Sequence, residues 1–235
     1  MEGTLAAVAA IGYREVELAG FHGYEAQALR EVLDRLELRA VAGHVGHDAL
    51  SDPARRDAAL TEALVLGQSF VVCPAAPEHL RSAEGYRRVA ADLTAAGEVA
   101  LGMGLRLAYH NHDFDLTPGD GGTVPYDILL ADTDPELVAF ELDLYWAVVA
   151  GVDPMALLAR APGRFPLVHV KDRAADGAFT DVGAGTLDFP RLLAAATAAG
   201  ARHLIVEHDA PADPLASAAA GYAYLRDLGQ VTGRS

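Results

Sequence analysis

The chain has 235 residues, 51% of them hydrophobic and 22% charged, with a single cysteine; this suits one large α/β core rather than two domains and excludes a disulfide framework. With 18 Lys and Arg against 33 Asp and Glu the net charge is −15, so the surface repels phosphate backbones and anionic lipid, and neither nucleic acid nor a membrane is expected as a partner. No stretch reaches the roughly 18 apolar residues of a membrane span, and the start Met1-Glu2-Gly3-Thr4-Leu5 has no basic, apolar leader, which with the lone Cys73 leads to the expectation of a cytoplasmic protein.

Short runs of Val, Ile and Leu alternate with Ala/Leu/Arg segments of helical period, the pattern of repeated βα units around a parallel sheet. In chain order the sequence predicts helix Gly3–Ile11, strand Arg14–Leu18, helix Glu25–Leu36, strand Leu38–His44, helix Pro53–Leu66, strand Ser69–Cys73, helix Ala83–Gly102 and strand Leu105–Asn111. There follow helix Val124–Ala131, strand Val138–Asp143, helix Pro154–Ala161, strand Leu167–Lys171, helix Asp188–Ala199, strand His203–Glu207 and helix Pro214–Leu228. Ser51-Asp52-Pro53 and Asp153-Pro154 are helix starts, a capping residue followed by proline. Gly12, Gly104 and Gly200 stand where helices should stop. Asp115–Thr123 and Asp172–Thr186 read as irregular loops that shape a rim. No linker or low-complexity tract divides the chain, so residues 1–235 are read as one domain.

Seven predicted strands against eight helices, with a helix first, describe a (β/α)8 TIM barrel lacking its first β-strand. Such a barrel is open at one seam. The edges Arg14–Leu18 and His203–Glu207 would be left unpaired there and invite homo-oligomers, unless a further strand or another cover fills the gap.

Four of the strands end in ligand-type residues: Tyr109-His110-Asn111-His112, Glu141-Leu142-Asp143, His169-Val170-Lys171 and Val206-Glu207-His208. In a TIM barrel the C-terminal strand ends converge on one mouth, where the chemistry sits. Alternation then assigns faces. Leu105, Leu107, Tyr109 and Asn111 share one face, as do Val138, Phe140 and Leu142, and these suit the outer, helix-packed side. That sends His110, His112, Glu141, Asp143, His169, Lys171 and Glu207 inward. So many ionisable groups are costly to bury without partners or a cation. The set therefore points to a mixed N/O site for a divalent metal, the alternative being a hydrogen-bonded polar plug. Glu17 and His44, also at strand ends, divide between substrate contact and structural hydrogen bonding.

With these residues in view the chain resembles the xylose-isomerase-like barrel superfamily, specifically the sugar phosphate isomerase/epimerase group. The matching pieces are Ile11-Gly-Tyr-Arg-Glu-Val-Glu-Leu18, Tyr109-His-Asn-His-Asp-Phe114, Glu141-Leu-Asp-Leu-Tyr-Trp146, Val168-His-Val-Lys-Asp172, Val182-Gly-Ala-Gly-Thr-Leu-Asp-Phe189 and Ile205-Val-Glu-His208, spread over nearly the whole chain. The resemblance implies one divalent cation, Mn2+, Mg2+, Co2+ or Zn2+, held by a Glu, an Asp, a His and a second Glu. Asp143, His169 and Glu207 match the last three. The first Glu falls on His110, with His112 two residues on, so His110 and His112 both stand as candidate ligands.

The implied chemistry is that of a sugar or cyclitol isomerase or epimerase, acting by proton transfer next to a carbonyl. Glu207 is then the general base, Lys171 an electrostatic stabiliser or acid, and His110 or His112 the second acid/base. Glu17, His44, Glu141 and Trp146 are candidate substrate contacts, with Tyr145 and Phe21 as further walls for a sugar ring. Because a carboxylate of the epimerases is replaced at His110, dehydration or keto-glycoside hydrolysis is the competing chemistry. A nucleic-acid phosphodiesterase is disfavoured by the charge. A scaffold that lost activity with its first strand would hold little metal.

Overall fold

Leu107, Tyr109, Phe140, Leu142, Val168 and Val170 alternate along their strands with Ala108, Ala139, Glu141 and His169, and this period of two separates two interiors. The first set packs outward against helices in one large buried cluster. Small and branched residues of the second phase, among them Ala42, Val72, Ala108, Ala139 and Leu167, fill the inside as a separate apolar layer. The polar members of that inner phase lie nearer the C-terminal strand ends. The barrel is thus plugged with hydrocarbon at the bottom and ionisable at the top.

The computed structural model describes residues 1–231, apart from the side chain of Asp120. The strands are β1 (Glu15–Leu18), β2 (Arg39–His44), β3 (Phe70–Cys73), β4 (Arg106–His110), β5 (Val138–Asp143), β6 (Leu167–Val170), the short pair β7 (Asp172–Arg173) and β8 (Phe179–Thr180), and β9 (His203–Val206). Seven of them form one parallel sheet in the order β1-β2-β3-β4-β5-β6-β9, and β7 and β8 form an antiparallel pair. This is a mixed α/β barrel, nearly closed and one strand short. The sequence places these seven strands to within a residue or two of their observed ends. It reads the β7–β8 pair as loop, because two-residue strands carry no periodic signal. The short helices His47–Leu50, Asp113–Leu116 and Leu144–Val149 escape for the same reason.

Local chemistry fixes the longer helices. Asp52 accepts from the Arg55 amide at 3.0 Å before Pro53, and Gly67 ends that helix in a left-handed conformation, φ 72°. Ser82 caps the helix Ala83–Gly102 by accepting from the Gly85 amide at 3.1 Å.

Among the described residues β1 and β9 pair on one side only, so the seam lies between them. Side chains bridge it. His203 Nδ1 lies 2.8 Å from Glu15 Oε2, and the Tyr13 hydroxyl donates to the Ala218 carbonyl at 2.9 Å. Helix Glu2–Ile11 packs on helix Pro214–Asp227 outside the gap. Gly12 has φ 133°, and the Tyr222 ring occupies the space a Cβ would need there. A cavity of about 190 Å3 remains along the seam, lined by Val8, Val16, Leu204 and Val206 among others.

The outer core is where truncation should cost most. Phe140 is fully buried and touches the rings of Tyr109, Tyr126 and Phe165. Phe140→Ala is expected to lose about 3–5 kcal/mol of stability in denaturant unfolding. A loss under about 1 kcal/mol would mean that the layer is not packed as described.

Candidate active site

Eight ionisable residues from six strands and their ends meet in the upper layer: Glu17 of β1, His44 of β2, His110 of β4, Glu141 and Asp143 of β5, His169 and Lys171 at β6, and Glu207 after β9. His169 is the hub. Its Nδ1 lies 2.8 Å from Glu207 Oε2. Its Nε2 lies 2.9 Å from Glu17 Oε2 and 3.1 Å from Glu141 Oε2. His110 sits on the same carboxylates, with Nδ1 3.1 Å from Glu141 Oε2 and Nε2 3.9 Å from Asp143 Oδ2. His44 Nε2 is 2.9 Å from Glu17 Oε1.

The Lys171 ammonium, on a side chain only 2% exposed, faces three carboxylates, Asp143 at 3.2 Å, Glu207 at 2.8 Å and Asp209 at 2.9 Å. Trp146 and Phe179 present ring faces to it at 5.5 and 5.7 Å. Tyr145 joins this aromatic rim, its ring 4.6 Å from that of Phe179. Phe21 does not, and packs instead on the cluster around Leu18, Ala26 and Leu29. His112 lies beside the ionic cluster, stacked on Phe114 at 5.2 Å and 5.6 Å from Trp146.

Burial and charge pull these groups apart. Burial alone would neutralise His169, but the carboxylates Glu141, Glu17 and Glu207 hold its pKa well above the usual imidazole value. Burial would likewise raise Glu17 and Glu207. Hydrogen bonds and charge from His169, with His44 on Glu17 and Lys171 on Glu207, outweigh it and keep both carboxylates low. Glu141 is pushed up by burial and by Glu17 beside it, and Asp143 by burial. His110 is pushed down to about 3 by burial and by the charge of His169, and His112 to about 4 by burial and by His110. Both are neutral imidazoles at neutral pH. Burial depresses Lys171 less than Asp143 and Glu207 raise it, so it is a firm cation.

Four residues that the sequence reading passes over hold this layer in place. Asn111 accepts from the Asp143 amide at 3.0 Å and donates to its carbonyl at 3.4 Å, clamping β4 to β5. Asp115 is buried and accepts from the Tyr86 and Tyr109 hydroxyls at 2.6 and 2.7 Å and from the His112 amide at 2.8 Å. Asp172 accepts the amides of Arg173, Gly183, Gly185 and Leu187, which shapes the 181–187 turn. Asp209 balances Lys171. The signal for Asp115 and Asp172 was their position within a few residues of a strand end, five beyond β4 and two beyond β6, where a carboxylate can satisfy loop amides.

A divalent cation fits this donor set. Glu141 Oε1 is buried with no hydrogen-bond partner, and the buried Glu17 Oε1 and Asp143 Oδ2 have ion-pair contacts with His44 Nε2 at 2.9 Å and Lys171 Nζ at 3.2 Å but no well-directed hydrogen bond, a carboxylate-rich arrangement that a cation would compensate. Ligand atoms of His110, Asp143 and His169 lie within 4.8 Å of one another, and so do those of Glu17, His44, Glu141 and His169. Mixed carboxylate and imidazole donors suit Mn2+, Co2+ or Zn2+.

A family profile for xylose isomerase-like TIM barrels matches residues 5–228. The chain belongs to that family. Among solved structures it is similar to a sugar phosphate isomerase/epimerase from Parabacteroides distasonis, with TM-score 0.84 and 25% identity over 96% of this chain and 87% of that one. The fold is also shared with the 3-keto-D-glucoside 4-epimerase of E. coli, at TM-score 0.73 and 18% identity over 96% and 94% of the two chains. Sequence relatives include inosose dehydratases of Salmonella typhimurium, 35% identical over 122 residues, and Clostridium botulinum, 27% identical over 170 residues. These alignments cover 43% and 63% of this chain but 39% and 56% of the relatives.

Proposed function

We propose that the protein is a divalent-cation-dependent isomerase or epimerase of a sugar or cyclitol, working by proton transfer next to a carbonyl. The observation that supports this reading is the convergence of Asp143 and the half-open carboxylate Glu207 on one imidazole, with His169 Nδ1 2.8 Å from Glu207 Oε2 and 4.0 Å from Asp143 Oδ2. In this reading Asp143, His169 and Glu207, with His110 as the fourth donor, hold the cation. When bound, the cation polarises a substrate carbonyl and its neighbouring hydroxyl.

The protein's own part is positional. Glu207, kept ionised, takes the proton at its outer oxygen. Lys171 fixes that carboxylate and answers negative charge developing on substrate oxygen. The rings of Trp146, Phe179 and Tyr145 wall off water and give a sugar face an apolar surface.

A second reading, dehydration of an inosose or keto-sugar, is favoured by the neutrality of His110. An epimerase needs an acid and a base on opposite faces of the substrate. Here the clear pair, Glu207 and Lys171, are in contact, which suits removing a proton and protonating a departing hydroxyl from one side. The inosose dehydratase relatives support that reading too.

Incubation with ketoses, inososes and 3-keto-glycosides in D2O separates the two. Solvent deuterium in a recovered epimer or isomer supports the first, and a product short of one water the second. In either case Glu207→Gln should reduce kcat on the order of 10²–10⁴-fold. Undiminished turnover in that variant overturns both.

A further inference from the structure

The outer ligand set of the proposed reading uses one side of His169 and leaves the other side unexplained. Glu17 and Glu141 both aim an oxygen at His169 Nε2, at 2.9 and 3.1 Å. Their side chains are 5% and 0% exposed; the second oxygen of Glu141 has no hydrogen-bond partner, and that of Glu17 meets only the imidazole of His44 among the described residues. Two carboxylates this close and this dry repel each other, and the groups around them are imidazoles: His169, His44 at 2.9 Å from Glu17, and His110 at 3.1 Å from Glu141. The Lys171 ammonium does not serve this pair. Its partners are Asp143, Glu207 and Asp209, on the Nδ1 side of the ring.

We infer that Glu17, His44, Glu141 and Nε2 of His169 form a second, inner cation site, distinct from the outer set of His110, Asp143, Glu207 and Nδ1 of His169. The four inner donors come from β1, β2, β5 and β6 and lie within 4.8 Å of one another. Two carboxylates and two imidazoles make a four-donor N2O2 set, the donor chemistry of Zn2+, Co2+ or Mn2+. A cation there compensates the negative charge of the buried Glu17 and Glu141 carboxylates together. The His169 ring lies between the two sites, one nitrogen to each, which requires its ring protons to leave as cations enter. The inference rests on the proposed reading for the outer cation only, and the inner site stands on Glu17 and Glu141 by themselves.

The test is stoichiometry on the full chain, stripped with chelator and dialysed against Co2+ alone, with bound metal counted by elemental analysis. The wild type should hold two equivalents. Glu17→Gln and Glu141→Gln should each hold one, and Asp143→Asn should also hold one, the inner one. Two Mn2+ bound to the wild type should give an exchange-coupled EPR signal through the shared imidazole, a readout that needs no variant and covers the case in which Glu141→Gln does not fold. His44→Gln, on a more exposed side chain, should weaken the inner equivalent at least ten-fold.

A single equivalent that survives Glu17→Gln and is lost in Asp143→Asn overturns the inner site and leaves the outer reading standing. The reverse pattern supports the inner site and overturns the outer one. A single equivalent lost in both variants means one shared site and overturns the division proposed here. No bound Co2+ overturns both.

Discussion

His169→Ala is expected to abolish divalent-cation retention, to drop turnover below detection, and to destabilise the protein, all in one variant. Among the described residues the ring is the one group in contact with Glu17, Glu141 and Glu207 together, and its side chain is 3% exposed. Removing it leaves carboxylates of the upper layer without their counter-charge, and breaking a buried pair by deleting one partner costs about 3–5 kcal/mol. Dialysis against chelator followed by elemental analysis reads the cation, and urea unfolding reads the stability. His169→Gln tells charge from shape, since it can donate to one carboxylate but cannot carry a positive charge. Full cation content with unchanged stability in the alanine variant would remove His169 from the centre of the site.

Lys171→Met should be nearly as damaging for a different reason. The methionine fills much of the same volume, so the loss is mainly electrostatic. Asp143, Glu207 and Asp209 lose their shared ammonium at 2.8–3.2 Å. Glu207 and Asp209 are about one-third exposed and can be rehydrated, so the stability loss should stay below that of His169→Ala, on the order of 1–3 kcal/mol. Turnover is expected to fall on the order of 10²–10³-fold, the usual effect of removing a preorganised donor at developing negative charge. Lys171→Arg should restore stability better than activity, because a planar guanidinium cannot meet three carboxylates as a compact ammonium does. Unchanged kcat in Lys171→Met would confine Lys171 to a structural role.

The phase of the strands was legible in the sequence because the period-two alternation of β5 and β6 is strong. Val138, Phe140 and Leu142 face the helices, while Glu141 and Asp143 face the barrel, as alternation requires. The family and the one-strand-short barrel were legible from motifs spread along the chain. What alternation cannot supply is the height of each residue in the barrel, because that depends on register between strands. Glu17, His44 and Glu141 therefore read as separate candidate contacts, although the staggered register brings Glu17 and Glu141 onto the His169 imidazole and His44 onto Glu17. His112, two residues beyond His110, shares its phase but lies past the end of β4. There the chain turns into a helix, and the ring stacks on Phe114 instead of entering either ligand set. Asn111 faces away from the barrel interior yet acts on it, through the Asp143 backbone. Asp209 carried no signal at all, since it sits in an irregular segment after β9.

The seam between β1 and β9 gives the upper cluster a mechanical role. In a closed barrel, tension around the ring passes from strand to strand through backbone hydrogen bonds. Here that path is interrupted, and part of the hoop is carried by side chains: Glu17 on one lip and Glu207 on the other, both fastened to His169. Whatever occupies the cluster therefore acts as a clasp on the ring. If the cluster holds a cation as proposed, opening of the seam and vacancy of the site are expected to be coupled, with the cation favouring the closed ring by mass action. Amide hydrogens along β1 and β9 should then exchange more slowly as cation is added, while those of β3, which is away from the seam and carries none of the named donors, change little.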